Sequence, residues 1–483
     1  MHRIRARRLL RRLFRQRGLS YAAALGCAAL ATAGVVLAHG PGPHGHRMPP
    51  LTRGTPPPVT GPTHVQFTSG PLTITGALSQ GAVLVGDGMP VLFEVTVKGE
   101  DGVEGPPPPV AMALVIDTSG SMSGAKIAQA KTALQQTVNR MRDTDSLSIV
   151  IYNSGAHIAV PMGPIAGRRV LIRNEIARIE AGGGTDIPSG LRLGQQTLAT
   201  ATRGQVRRMV LLSDGIDGSN LGADGVASLV AGYAQRGVTT AALGLGVDYD
   251  ERYLTSVADG GRGAYAFLAT GNELDGFLRA ELDAAGSTIA EDVAVELNLP
   301  GNLRPVRAHG GILDGHRLIL GSVSSGSQRR VTVELQSFTV APTELPLALG
   351  VHYHRPGQAR EHDGSPAITL DAVHSVAQVE DSRVDDVYAR SQAILLEARQ
   401  HAAIQLWEEG DNQAAAELAR GNAVALRELQ ALDATPEIAN QLSEVEQEAN
   451  RFETTSARSR TGRIYRLSSN ARRRSRVRSG SWQ

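Results

Sequence analysis

Val110-Ala111-Met112-Ala113-Leu114-Val115-Ile116-Asp117-Thr118-Ser119-Gly120-Ser121 passes from an unbroken apolar run into a carboxylate and two serines. The apolar part has the length of a buried strand and ends in turn chemistry. The next segment carries Ile127, Ala130, Leu134, Val138 and Met141 at helical spacing, which predicts a helix with one face on a sheet. Leu147-Ser148-Ile149-Val150-Ile151-Tyr152, Met209-Val210-Leu211-Leu212 and residues 238–245 are further buried-strand runs. Strands alternating with helical segments predict an α/β fold with a mostly parallel sheet covered on both faces.

In such a sheet the loops at the carboxyl ends of the strands share one edge. Asp117, Ser119 and Ser121 lie on the first of these loops. Thr185 follows three glycines in Gly182-Gly183-Gly184-Thr185-Asp186, and Asp214 ends a strand in Leu211-Leu212-Ser213-Asp214-Gly215. The glycines suit a loop whose backbone must come close to that edge. Two carboxylates and three hydroxyls are hard oxygen donors, suited to magnesium, manganese or calcium rather than zinc or copper. Three or four protein oxygens leave a coordination position that a partner's carboxylate can fill. Taken singly, the Asp-Ser loop also reads as a helix cap and Asp214-Gly215 as a turn; taken together, the pieces read as a metal site. Asp186 and Asp217 read as helix-start or turn residues.

The Asp-x-Ser-x-Ser loop, the remote Thr and the remote Asp-Gly resemble the metal-ion-dependent adhesion site (MIDAS) of the von Willebrand factor A (VWA) family. Gly244-Leu245-Gly246-Val247-Asp248, then Leu254, Ala258, Gly260-Gly261, Gly263 and Tyr265-Ala266-Phe267, are similar to that family's last strand–helix–strand unit. The resemblance spans residues 110–286. It implies a Rossmann-like VWA domain with Asp117, Ser119, Ser121, Thr185 and Asp214 as metal ligands and Mg2+ (or Mn2+ or Ca2+) as cofactor. It also implies a protein ligand that supplies a carboxylate to the metal.

The flanks differ in kind. Residues 1–38 place many arginines before a charge-free stretch, Leu19 to Ala38, the order of a secretory signal peptide or membrane anchor. An exported location follows: periplasmic, cell-envelope or secreted. Residues 39–62 are a Pro/Gly/His-rich linker, and His39, His44 and His46 read as solvated linker residues rather than a metal site. Residues 63–105 alternate like strands, as in Pro90-Val91-Leu92-Phe93-Glu94-Val95-Thr96-Val97, and residues 287–375 resume that pattern. The first set has no core of its own. We expect it to join the second in one β-sandwich into which the metal domain is inserted, an arrangement resembling bacterial secreted calcium-activated chloride-channel-like VWA proteins. His352, His354 and His362 read as strand histidines on a solvated face rather than a zinc site.

Residues 380–453 read as a C-terminal helical hairpin that caps the sandwich or dimerises, with a turn at Glu409-Gly410-Asp411-Asn412 resembling a tetratricopeptide-type unit. Residues 454–483 hold many arginines and no acid after Glu453, which predicts a disordered Arg-rich tail able to meet an anionic envelope surface.

Composition narrows the function classes. The chain has 483 residues, 41% hydrophobic, and a formal net charge of +2, so neither disorder throughout nor a polyanionic partner is implied. Lys98, Lys126 and Lys131 are the only lysines; the other basic side chains are arginines, so Arg abundance is a coding bias rather than evidence for nucleic acid. Aromatics at 4% are too few for base-stacking platforms. One cysteine, Cys27, excludes an intrachain disulfide framework. No Gly-x-x-x-x-Gly-Lys-Ser/Thr run supports a nucleotide site, and no Ser/His/Asp or Cys/His constellation supports an enzyme. The expectation is an exported, metal-dependent adhesion-type protein that captures an acidic residue of its partner. The alternative is an assembly or chaperone partner of a ring ATPase or envelope complex.

Overall fold

The computed structural model describes residues 61–479 apart from 87, 89, 103 and 104. The signal-like segment with Cys27, and the linker histidines His39, His44 and His46, lie outside the described residues. Among those described, no helix is long and apolar enough to cross a membrane.

The chain begins with four strands, β1 (His64–Ser69), β2 (Leu72–Leu78), β3 (Ala82–Leu84) and β4 (Pro90–Gly99). The α/β domain follows: β5 (Val110–Asp117), α1 (Ala125–Arg140), β6 (Ser146–Tyr152), β7 (Ala156–Pro164), α2 (Arg169–Arg178), α3 (Ile187–Ala199), β8 (Val206–Ser213), α4 (Ala223–Ala234), β9 (Val238–Leu245), α5 (Glu251–Gly260), β10 (Arg262–Leu268) and α6 (Leu274–Gly286). Its sheet has the order β10-β9-β8-β5-β6-β7, parallel except for the antiparallel edge strand β7. All eight residues of β5 are buried, as a central strand covered on both faces requires. Met112, Leu114 and Ile116 pack with α1 residues Ala130, Leu134 and Val138 on one face; Ala113 and Val115 pack with Leu191 of α3 and Val226 of α4 on the other. A Cβ on Gly190 would lie 2.9 Å from Val115 Cγ1, so the absence of a side chain there lets α3 sit tightly on β5.

The second strand-rich segment comprises β11 (Thr288–Asn298), β12 (Leu303–His309), β13 (Ile312–Asp314), β14 (Arg317–Ser324), β15 (Gln328–Ser337), β16 (Thr343–His354), β17 (Arg360–Gly364) and β18 (Ile368–Val373). It combines with the first strands exactly where the sequence left them without a core: β4 pairs antiparallel with β15 over nine residues, and β3 pairs parallel with β18. The resulting sheets, β1-β2-β4-β15-β12 and β13-β14-β11-β16-β18-β3, enclose one core containing Ile74, Phe93, Val95, Val295, Val333, Leu349 and Tyr353. The α/β domain is therefore inserted between β4 of one sheet and β11 of the other.

At this junction Arg262 and Asp292, both non-glycine residues with positive φ (54° and 51°), form an ion pair at 3.0 Å. His354 Nε2 lies 3.3 Å from the second Asp292 oxygen, a contact that raises the histidine pKa against the opposing effect of burial. His352 pairs with Glu296 at 3.0 Å and stacks on His362 with ring centroids 4.2 Å apart. His352 and His354 are thus partly buried and held by carboxylates, while His362 stays exposed on the edge strand as expected of a solvated face.

The expected hairpin is present and extended. After the short α7 (Val376–Asp381), α8 (Asp385–Glu409) and α9 (Asn412–Leu432) turn at Gly410, which takes the left-handed conformation. Asp411 caps α9 by accepting from Ala414 N–H. Arg390 of α8 pairs with Glu94 of β4, so the helical region does rest on the sandwich. Two further helices, α10 (Pro436–Thr454) and α11 (Arg460–Ser479), complete it.

Helix α11 corrects, over Arg460–Ser479, the reading of residues 454–483 as a disordered tail; residues 480–483 lie outside the described residues. Its arginines meet carboxylates from other elements: Arg463 with Asp248, Arg466 with Glu251 and Glu408, Arg472 with Glu444, Arg473 with Glu397 and Glu448, Arg474 with Asp259 and Arg476 with Glu397 and Glu444. Leu467 is buried in the α/β core beside Tyr249 and Tyr265, while Tyr465 packs on the helical region's core. Neutralisation plus apolar anchoring removes the self-repulsion on which the disorder expectation rested. The same pairing argues against a free polycation directed at an anionic surface.

Candidate metal centre

The switch in strand order at β5 creates a crevice, since β6 leaves on one side and β8 on the other. Asp117 is the last residue of β5 and fully buried there. Its Oδ1 accepts from Ser119 N–H at 2.8 Å, and its Oδ2 accepts from Ser213 Oγ at 3.0 Å. Tyr152 O–H donates to Leu212 O at 3.0 Å and lies 3.4 Å from Asp117 Oδ2. Burial raises the Asp117 pKa, and the nearby Asp214 charge adds to the rise; hydrogen bonds from Ser119 and Ser213 oppose it. A buried carboxylate in this state gains from any cation brought to it.

Past Ser119 the chain makes a single 3-10 turn, Gly120–Met122, with Met122 buried as its anchor. The turn aims Ser121 back over the strand end. Ser119 Oγ and Ser121 Oγ are 3.0 Å apart, and Ser121 Oγ donates to Asp214 Oδ1 at 2.7 Å. The glycine loop is fastened to this turn through the backbone. Gly182 N–H donates to Thr118 O at 2.7 Å, and Gly120 N–H donates to Gly183 O at 3.1 Å. Gly183 has φ 86°, which favours glycine there. Gly218 N–H donates to Thr185 O at 2.7 Å and ties the third loop to the second. A Cβ added to Gly215 would lie 3.6 Å from Thr185 Oγ1 and 3.7 Å from Ser121 Oγ, so both hydroxyls approach the same glycine.

All five residues singled out from the sequence therefore meet at one edge: Ser119, Ser121 and Asp214 as a chain of close oxygens, Asp117 tied to it through the Ser119 N–H, and Thr185 beside them. Asp186 caps α3 by accepting from Ser189 N–H, and Asp217 accepts from Ile187 N–H at 3.0 Å, the structural roles expected of them. The Asp186 cap contributes about 1 kcal/mol. Three participants were not anticipated. Ser213 and Tyr152 face the inner side of Asp117, and Lys126 in the first turn of α1 forms an ion pair with Asp214 Oδ2. Ser213 was findable, because it directly precedes Asp214 at the strand end.

Two carboxylates and three hydroxyls on one crevice fit a hard divalent cation. Both carboxylates are buried, which favours positive charge brought to them there. Among the described residues, no group of three or more His, Cys, Asp or Glu side chains is gathered elsewhere as an alternative metal site.

Comparison with known proteins agrees with this architecture. The von Willebrand factor type A domain profile matches residues 112–279. The uncharacterised protein YfbK of Escherichia coli (strain K12) is 30% identical over 213 residues, 43% of this chain and 36% of YfbK. The chain thus spans little more than a third of that curated relative. Among solved structures, a von Willebrand factor type A protein from Catenulispora acidiphila superposes with a TM-score of 0.61 at 17% identity, covering 80% of this chain and 98% of that one. The ArnB paralog VWA2 from Sulfolobus acidocaldarius gives 0.55 at 15% identity, covering 78% and 98%. Both matches take in more of the chain than residues 112–279 alone, so the shared fold extends into the flanking elements. Residues 112–279 of this chain are a von Willebrand factor type A domain, carried as an insertion in a β-sandwich.

Proposed function

We propose that this protein is exported and binds a partner protein through a divalent cation, Mg2+ or in its place Mn2+ or Ca2+, held by Asp117, Ser119, Ser121, Thr185 and Asp214. The observation that carries this reading is the gathering of these side chains at one strand end: Ser119 N–H donates to Asp117 Oδ1, and Ser119 Oγ, Ser121 Oγ and Asp214 Oδ1 follow as close oxygens. When bound, the ion supplies a positive centre with a position free for a carboxylate of the partner. The chain's own residues do the rest. Asp117 and Asp214 contribute the negative charge, the hydroxyls contribute neutral donors, and the backbone bonds among the three loops fix their spacing. Ser213 and Tyr152 hold Asp117 from behind, which leaves its orientation little freedom. No reaction is assigned to the site. Export rests on the signal-like residues 1–38.

Calorimetric titration of Mg2+ and Mn2+ into the purified protein tests the metal reading. Asp117→Ala is expected to abolish binding, and an unchanged affinity in that variant refutes the reading. Capture of a partner from envelope extract is expected to be lost on adding chelator. Recovery of the full-length protein in the cytoplasmic fraction would instead favour the ring-ATPase assembly role.

A further inference from the structure

We propose that Lys126 is a built-in competitor for the divalent ion: its ammonium neutralises Asp214 when the metal is absent and moves aside when the metal enters. The inference rests on the metal reading above and adds a regulator to it. Lys126 then sets the metal concentration at which the protein becomes able to bind its partner.

Three observations converge. The first is occupancy. Lys126 Nζ is paired with Asp214 Oδ2, and the Ser121 hydroxyl donates to Asp214 Oδ1. Each oxygen of this buried carboxylate already accepts one donor, so an ion that takes Asp214 Oδ2 as a direct ligand comes up against the like charge of the ammonium. With the lysine in place, Asp117, Asp214 and Lys126 sum to one negative charge; without it, to two. The second is placement. Lys126 sits in the first turn of α1, where the helix dipole disfavours a cation and no acidic residue of that turn offsets it. Asp214 is what holds the ammonium there. The third is side-chain type. The chain uses Lys at only three positions among 49 Lys and Arg residues, and one of them is here. An arginine fork can grip a carboxylate through two parallel bonds, whereas a lysine is a single point charge on a flexible stem. The Lys126 side chain is 33% exposed while that of Asp214 is 0%, so the ammonium has a path to solvent that the carboxylate lacks.

The test uses the full-length protein. Mg2+ and Mn2+ are titrated into wild type, Lys126→Gln, Lys126→Arg and Asp117→Ala. Lys126→Gln is expected to bind metal roughly tenfold tighter or more, the direction dictated by removing a like charge beside the ion. Lys126→Arg is expected to bind more weakly than wild type. A second readout needs no variant: acetylation of surface amines followed by mass spectrometry. Added Mg2+ is expected to raise labelling of Lys126 several-fold while Lys98 and Lys131 serve as internal controls. Equal or weaker binding by Lys126→Gln, or Lys126 labelling that does not rise with Mg2+, overturns the competitor role. If Asp117→Ala loses the metal but Lys126→Gln matches wild type, only the competitor role fails. If Asp117→Ala binds as tightly as wild type, or neither wild type nor Lys126→Gln binds metal, the metal reading fails and the competitor role falls with it.

Discussion

At the candidate metal edge, the buried carboxylates Asp117 and Asp214 face hydroxyls and a single lysine; in the helical region, the buried carboxylates Glu397 and Glu448 face Arg473 and Arg476. Burial pushes the carboxyl pKa up at both Asp117 and Glu397. The compensation differs. Glu448 accepts from Ser469 at 2.7 Å, Tyr465 at 3.1 Å and Gln400 at 2.6 Å as well as from Arg473, which leaves no room for an ion. Glu397 takes Arg473 at 3.1 Å and Arg476 at 3.2 Å. One cluster is closed by guanidinium groups and serves cohesion. The other is met by hydroxyls and one partly exposed lysine rather than by guanidinium groups. Buried acids alone therefore do not mark a binding site; the nature of their partners does.

The contrast can be broken most severely by removing α11. A chain ending at Ser459 leaves Glu397 and Glu448 buried without their arginines and uncovers the α/β face on which Leu467 packs. Its helical region is expected to melt before the rest of the protein, seen as helical circular dichroism lost at a temperature the full chain survives. A dispensable tail would leave the melting curve unchanged. Arg473→Ala asks the same question with one side chain and is expected to cost about 3–5 kcal/mol in denaturant titration, because it strands buried charge. The metal edge should respond to ligand instead. Mg2+ at about 100 times its dissociation constant should stabilise the wild-type A domain by about 2.7 kcal/mol, read as a rise in melting temperature, and should leave Asp117→Ala unmoved.

The junction at Asp292 sharpens the comparison with a third kind of partner, a histidine. The hydrogen bond to Asp292 raises the His354 pKa above its ordinary value. The stabilisation is therefore fully present below about pH 6.5, the unfolded value, and is lost as pH rises through the higher folded value. Between pH 6 and pH 8.5 the wild type should lose about 1 kcal/mol or less relative to His354→Gln, measured by urea unfolding at each pH.

Local pattern revealed much of this molecule. The strand ending at Asp117 announced itself because a central parallel strand is apolar on both faces and its functional residues must lie just past its end. The insertion was readable because residues 63–105 alternate like strands yet cannot bury both faces alone. The Arg-rich helix was not readable. Three of its partners, Glu397, Glu444 and Glu448, look in sequence like the solvated side of their own helices, and only tertiary packing brings them to the arginines. Lys126 escaped for a related reason. Its identity was noted, but nothing local states that the first turn of α1 points at a carboxylate from β8's far end. The one available hint was a cation placed against a helix dipole.

The insertion also fixes where the A domain is tethered. The chain enters the A domain at Val110, which pairs with Val206 at the start of β8, and leaves it into Thr288, whose hydroxyl accepts from Arg208 near that same strand start. Both covalent straps thus attach at the pole opposite Asp117. One leads back to β4 and the other to β11, strands of different layers of the sandwich. The edge proposed to meet a partner therefore lies at the free end of the parallel strands, and the opposite end is tethered to two different layers of the sandwich.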